Sequence, residues 1–342
     1  MHATYNNPNF EIPYSLTNTL FNLTPGAIYY VRAYAKNSSG EVWGNEVSFT
    51  MLPMLWDVID TGLNNVLNKV HFDNANEGWI CGSQGLILKT TNGGTTWRAL
   101  ISGTSSWLID MHWIDAENAW IIGCSNDIVL KTVNGGISWQ QVNLGFTPAN
   151  GLRAIYFEDI TTGYIMTNYG AVYKTNDAGI SWRQIRSIGE YTFQDIWSSG
   201  DTIILAGQGL LRSTDGGLTW QSQLNTNDDY NSIRVQSPNT MWICGGGDNG
   251  YGKMYKSENL GANWVLLPGN ISKRLNDIGF APIANKIWTV GDYGAIYYSG
   301  NEGNDWNINY NQLSSTMFKS IFAIDDQKVW IVGDSGTILK LK

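Results

Sequence analysis

Apolar residues recur along this chain in short runs of four to six positions, alternating with polar residues or wholly apolar, each bounded by glycine or polar residues. The runs come in sets of three. LNKVHF (67–72), GWICG (78–82) and GLILKT (85–90) form one set, LIDMHW (108–113), AWIIG (119–123) and DIVLKT (127–132) the next, and FKSIFA (318–323), VWIVG (329–333) and GTILK (336–340) the last. Their shortness and their wealth of Val, Ile, Trp and Tyr predict strands, not helices. A polar heptapeptide ending in tryptophan follows each set but the last: TNGGTTW (91–97), VNGGISW (133–139), NDAGISW (176–182), TDGGLTW (214–220), ENLGANW (258–264) and GNEGNDW (300–306). A fourth short run then starts at the tryptophan, as in WRALI (97–101), WQQV (139–142) and WRQI (182–185).

The six tryptophans are spaced by 42, 43, 38, 44 and 42 residues. A repeat of that length is one supersecondary unit per copy, stacked because no copy can bury its apolar face alone. Four strands joined by short turns make one propeller blade. The last set stops at Leu341–Lys342 after three strands, while WDVIDTG (56–62) matches the strand that follows the tryptophan elsewhere. Residues 55–60 are therefore expected beside residues 336–341, completing a seventh blade and removing the open edges of the ring. The expected fold is an all-β, seven-bladed β-propeller of four-stranded antiparallel blades over residues 52–342.

Aligned on the tryptophan, the turns carry Ser or Thr at minus seven, Asn or Asp at minus five, Gly at minus three and mostly Ser or Thr at minus one. Asn92, Gly94 and Trp97 are answered by Asn134, Gly136 and Trp139, by Asp177, Gly179 and Trp182, and by Asp215, Gly217 and Trp220. Asn259, Gly261 and Trp264, then Asn301, Gly303 and Trp306, complete the six. The pattern resembles the Asp-box, or bacterial neuraminidase repeat. Its physical role is structural: the Asn or Asp accepts backbone N–H bonds, the glycine supplies a positive φ, and the hydroxyls tie the hairpin ends. The tryptophan is expected to pack between blades as a buried anchor. Asn263 and Asp305 replace the last hydroxyl, which predicts two looser turns. A phosphate loop is excluded, since no Lys-Ser/Thr follows the glycines and no helical pattern succeeds them.

Sixteen tryptophans, 38 glycines and 15% charged residues suit a turn-rich, aromatic-packed chain. A net charge of −8, with 21 scattered Lys and Arg, argues against nucleic acid as a partner. No apolar run approaches 18 residues, so no spanning helix is expected, and MHATYNNPNF at the start carries no signal-peptide pattern. Cys81 and Cys244 share a repeat position in distant blades and Cys124 lies just past it, which reads as free thiols. His71 and His112 recur on neighbouring inner strands without a carboxylate or thiol beside them in sequence, so no metal is expected, and no cofactor.

Residues 1–51 differ in kind. LFNLTPGAIYYVRAYAKNSSGEVWGNEVSFT (20–50) holds two alternating strands around Asn37-Ser38-Ser39-Gly40. It resembles the C-terminal half of a fibronectin type III module, a short β-sandwich fragment in the form common in surface proteins of Bacteroidota. That resemblance implies an extracellular or cell-surface location and a monomeric module of a longer chain. The propeller itself resembles the photosystem II stability and assembly factor family: GWICGSQGLILKTTNGGTTW (78–97) matches its repeat. The resemblance implies a non-enzymatic scaffold, although fold alone does not imply function.

The rival reading is a glycoside hydrolase or sialidase-like enzyme. Only eight arginines are present and no three share a repeat position, which speaks against a sialidase triad. A paired-carboxylate hydrolase stays open, because Asp110, Asp195 and Asp277 share one inner-strand position in blades two, four and six. Strand alternation alone does not say which way they face. The end of the propeller opposite the tryptophan turns gathers the longer loops, where binding residues concentrate. It carries Trp107, Phe146, Tyr169, Tyr191, Tyr230, Tyr251, Tyr293 and Tyr310, several acids, and Arg153, Arg186, Lys273 and Arg274. The lengthened turn CGGGDNGYGK (244–253), with Asp248 and Tyr251, is the first candidate for a specific contact. Trp107, Tyr169, Tyr191, Tyr230, Asp248, Tyr251 and Tyr293 are thus the expected ligand-binding residues, for a protein or a glycan.

Overall fold

Short runs of β-branched and aromatic residues between glycine turns can satisfy their backbone groups only by pairing sideways. In the computed structural model of the chain they do so as seven four-stranded antiparallel sheets and one two-stranded hairpin. The structure describes residues 27–50, 56–148, 150–187, 189, 191–224, 227–247, 249–269, 271–280, 286–309 and 315–342. The hairpin pairs Ile28–Asn37 with Gly40–Thr50. Among the described residues no helix is long and apolar enough to cross a membrane.

Six blades run through their four strands in chain order, and the seventh is composite. Phe318–Ala323, Val329–Gly333 and Ile338–Leu341 receive Trp56–Val58 as their fourth strand. Trp56 pairs with Leu341, Asp57 with Lys340 and Val58 with Leu339, and the Ile59 N–H continues to the Ile338 carbonyl at 2.9 Å. The expected closure is therefore present, with Leu55 outside the described residues. Seven apolar clusters fill the seven wedges between neighbouring blades. The one that joins Trp79, Cys81 and Ile87 of blade one to Leu108, Met111 and Ile121 of blade two is typical.

The turns are tied as the side-chain chemistry requires. The Thr90 hydroxyl accepts the Gly94 N–H at 2.9 Å and donates to Asn92 Oδ1 at 3.0 Å, and Asn92 Oδ1 accepts the Thr96 N–H at 3.0 Å. Thr132, Thr175, Ser213, Ser257 and Ser299 repeat the arrangement. The fifth and sixth turns keep its central bonds. Asn263 and Asp305 donate their N–H groups to Asn259 and Asn301 at 2.9 and 3.0 Å, and Asp305 also accepts the Asn301 amide at 3.1 Å. The loosening expected there is not seen, because an amide or carboxylate replaces only the outermost hydroxyl.

A second expectation also needs correction. The turn tryptophans are half-buried; Trp97, Trp220 and Trp264 spend their ring N–H on the carbonyl of their own turn glycine at 3.1–3.2 Å. The wholly buried anchors are Trp79, Trp120, Trp242, Trp288 and Trp330 on the second strands. Each of four of these rings reaches the next blade's turn glycine. A methyl added at Gly94 would stand 2.6 Å from Trp330, at Gly136 2.6 Å from Trp79, at Gly179 2.3 Å from Trp120, and at Gly303 2.9 Å from Trp242. The glycine thus serves a positive φ and also leaves room for a neighbour's indole.

Candidate functional site: the loop-rich face and the channel mouth

All seven inner strands begin with the same irregularity. The register shifts between residues one and three, as at Leu67/Lys69, Leu108/Asp110, Phe193/Asp195 and Leu275/Asp277. A bulge of this kind re-aims side chains and turns the strand. Here it brings the second residue of every inner strand, and the third of five of them, to the upper channel, at the loop-rich end, where a cavity of about 200 Å³ is lined by Asn68, Lys69, Arg153, Asp195, Asp277 and Lys319 among others. Below it a chamber of about 310 Å³ is walled by fifth-position residues: His71, His112, Tyr156, Trp197, Arg234 and Phe322.

The three carboxylates that alternation left undirected do converge on this channel, but their oxygens are engaged by the fold. Asp110 accepts the Ile155 N–H at 3.0 Å, Asp195 the Ile233 N–H at 2.9 Å, and Asp277 the Ile321 N–H at 3.2 Å. Each bond crosses to the next blade's inner strand. Arg234 then joins two of them, at 3.1 Å to Asp195 and 2.5 Å to Asp277, while Ser232 and Ser320 donate to Asp277 at 2.9 and 2.8 Å. Burial pulls the Asp277 pKa upward, yet the Arg234 charge and the two hydroxyls outweigh it and hold this carboxyl below its ordinary range. Asp195 goes the other way, raised by burial. These acids act as interblade staples, and the hydrolase reading loses its acid–base pair to them.

Sequence reasoning passed over the amides beside these acids. Asn68, Asn231 and Asn276 donate at 2.7, 2.7 and 2.8 Å to Leu108, Leu275 and Phe318, the first residue of the next inner strand, whose carbonyl the bulge leaves free. The signal was the recurrence of asparagine at one repeat position in three units. In the lower chamber His112 Nε2 lies 2.9 Å from the Phe157 carbonyl oxygen and His71 stacks on Trp113 at 5.6 Å. Among the described residues no group of three His, Cys, Asp or Glu could hold a metal ion. Cys81 and Cys244 are buried free thiols, pushed up by that burial, and Cys124 is an exposed one.

On the loop-rich face Trp107, Tyr169, Tyr191, Tyr251 and Tyr293 are between 40% and 66% exposed. Trp107 borders a groove of about 390 Å³ between blades one and two, with Asn65, Ser83 and Gln84. Tyr230 is not on this surface. It is 0% exposed because it opens an inner strand, where Leu67, Leu108, Leu152, Phe193, Leu275 and Phe318 are equally buried, and its ring meets Tyr255 edge-on. Phe146 stacks on Tyr173 at 4.0 Å, and Arg274 bridges to Asp229 at 3.2 Å. Asp248 and Tyr310 lie outside the described residues.

Fold and channel define a closed, seven-bladed propeller whose interior acids are structural and whose free aromatic surface lies at one end. The chain belongs to the family described as photosynthesis system II assembly factor YCF48, whose model matches residues 49–342. The photosystem II assembly protein Ycf48 of Thermosynechococcus vestitus is 27% identical over 248 residues, 69% of this chain and 70% of that protein. Among solved structures, YCF48 bound to a D1 peptide has a TM-score of 0.68 at 22% identity, covering 84% of this chain and 98% of that one. A GH74 enzyme of Niastella koreensis reaches 0.67 at 14% identity, covering 83% of this chain and 53% of that one. At those identities the structural likeness speaks for the fold alone. The family is one of assembly factors, not of enzymes, and the chain is a non-enzymatic propeller. The extracellular or cell-surface location expected from the N-terminal resemblance is corrected by the same matches, which are to proteins that assemble photosystem II within photosynthetic cells.

Proposed function

We propose that the chain is a scaffold that holds a segment of another polypeptide on its loop-rich face. The observation that carries this reading is the set of five exposed aromatic rings, Trp107, Tyr169, Tyr191, Tyr251 and Tyr293, on loops around one end of a rigid ring. Aromatic side chains presented on a stiff frame lose little entropy on binding and are the usual anchors of protein contacts. The D1 peptide carried by a solved relative makes a polypeptide the first ligand to try. Within this reading residues 52–342 are the propeller, its six tryptophan turns are Asp-boxes, and residues 1–51 are a separate, partial fibronectin-like segment.

An array of D1 peptides and other membrane-protein segments tests it. Wild-type protein should retain a subset, and replacing Trp107, Tyr191 and Tyr293 together with alanine should weaken retention about a hundredfold. Replacing Ile137, Ile180 and Leu218, exposed on the turns at the opposite end, should change nothing. The reverse result, or retention of a glycan in place of any peptide, would sink the proposal.

A further inference from the structure

The upper cavity has an unbalanced supply of hydrogen-bonding groups. Most of its carboxylate oxygens are occupied: Asp195 takes the N–H groups of Ile196 and Ile233 and the guanidinium of Arg234, and Asp277 takes Ile278, Ile321, Ser232, Ser320 and Arg234. Asp110 takes Ile155 on Oδ2 and turns Oδ1 toward Lys69. Its donors are not matched in the same way. Lys69 Nζ stands 3.5 Å from its nearest carboxylate oxygen, on Asp110, and Lys319 Nζ 3.8 Å from Asp334, with the Met317 thioether as its closer neighbour. Arg153 gives one N–H to Gln194, while its Nε is buried without a partner. Three cations therefore line one small cavity with N–H groups to spare. Counting Arg234 and the Asp334 that Lys319 faces, four cations meet four carboxylates, so the surplus at this cavity is one of hydrogen-bond donors, not of charge.

We propose that the channel mouth is a binding pocket for one carboxylate, held by Arg153, Lys69 and Lys319. A carboxylate supplies two acceptor oxygens to donors that the fold leaves over, and its one negative charge disturbs a balanced site less than a dianion would. Charge-assisted bonds to a planar carboxylate are the strong kind that guanidinium and ammonium groups form. The cavity admits an acid of a few carbon atoms or the tip of an acidic side chain. Free acid and side chain present the same chemistry. In the side-chain case the pocket rests on the reading of the loop-rich face as a polypeptide-binding surface, and in the free-acid case it does not.

The direct readout is the Arg153 Nε–H resonance of ¹⁵N-labelled protein. Propionate is titrated as the free acid, and two uncharged-flank peptides that differ only in one Glu or Gln serve as the side-chain probes. A saturable shift with propionate, weakened about tenfold by Lys319→Gln, is the expected result. A Glu peptide that binds at least as well as propionate, beside an inert Gln peptide, assigns the pocket to an acidic side chain; propionate alone assigns it to a free acid. Absence of a saturable shift with either acid, or an unchanged affinity in Lys319→Gln, overturns the pocket. If the loop-face aromatics prove irrelevant to peptide retention while propionate still binds, the scaffold reading fails and the pocket stands.

Discussion

At Gly291, which ends the second strand of blade six, a methyl group would stand 1.9 Å from the carbonyl oxygen of Arg274. The bulge at the start of each inner strand is the cause, since it pushes the carbonyl of the preceding residue against this position. Gly82, Gly207, Gly245 and Gly333 meet the corresponding carbonyls at 2.3, 2.2, 1.8 and 2.4 Å. Blade three has the larger Thr167 here and moves the glycine to the other side of the contact: Gly151 opposite it takes φ +75°. Gly291→Ala is therefore expected to cost about 3 kcal/mol in urea unfolding, whereas Gly300→Ala, with open space around it, should cost little. Equal stabilities for the two variants would refute this account of the spacing Trp-x-x-Gly that recurs from blade to blade. The spacing itself was plain in the sequence. Its reason was not, because a bulge leaves no mark in a run such as LNKVHF, and the same gap hid the direction of Asp110, Asp195 and Asp277.

The element on which the ring depends is the three-residue strand Trp56–Val58. It covers the outer edge of Ile338–Leu341, which would otherwise present free N–H and C=O groups to other chains. Trp56 fixes it by donating its ring N–H to Asn309 Oδ1 at 2.8 Å and by meeting Trp288 edge-on at 5.7 Å. Trp182 meets Trp120 in the same edge-on way at 6.4 Å, so the half-buried Trp56 takes the place of a turn tryptophan in the composite blade. Trp56→Ala is expected to lower stability by about 2–3 kcal/mol, less than for a fully buried indole, and to raise concentration-dependent aggregation. Light scattering during thermal unfolding would read both, and unchanged onset would count against closure by this strand. Closure was legible in the sequence because strands could be counted against a repeat. The burial of Tyr230 was not: the tyrosine lies at a position where other units carry Leu or Phe, and only alignment on the inner strand, not its polar neighbours Asp228 and Asp229, would have placed it inward.

For the whole molecule, the channel sets the response to acid. His71 and His112 are drawn down to about 3 and about 4, chiefly by burial in the aromatic lower chamber, with Lys69 adding to both and His112 to His71. The Phe157 carbonyl pulls His112 partly back. A histidine whose folded pKa lies below its unfolded value of about 6.5 leaves the fold unpenalised above that pH. Below it the unfolded chain takes up protons that the fold refuses, and stability falls by about 1.4 kcal/mol per pH unit per histidine until the folded pKa is reached. Two such groups remove about 4 kcal/mol between pH 6.5 and pH 5. Asp195, raised by burial, works against this trend near pH 4 and somewhat above, because there the fold binds its proton more readily than the unfolded chain does. Asp277, held below its ordinary range, loses its contribution only at lower pH still. His71→Phe keeps the ring contacts with Trp113 and Phe322 but cannot titrate, so the slope of urea midpoints between pH 6.5 and 5 should fall by about half. A slope that is already flat in the wild type, or unaltered by the substitution, would mean that the lower chamber admits enough water to charge both imidazoles in place, and the channel would then have to be regarded as an open pore, not a sealed core.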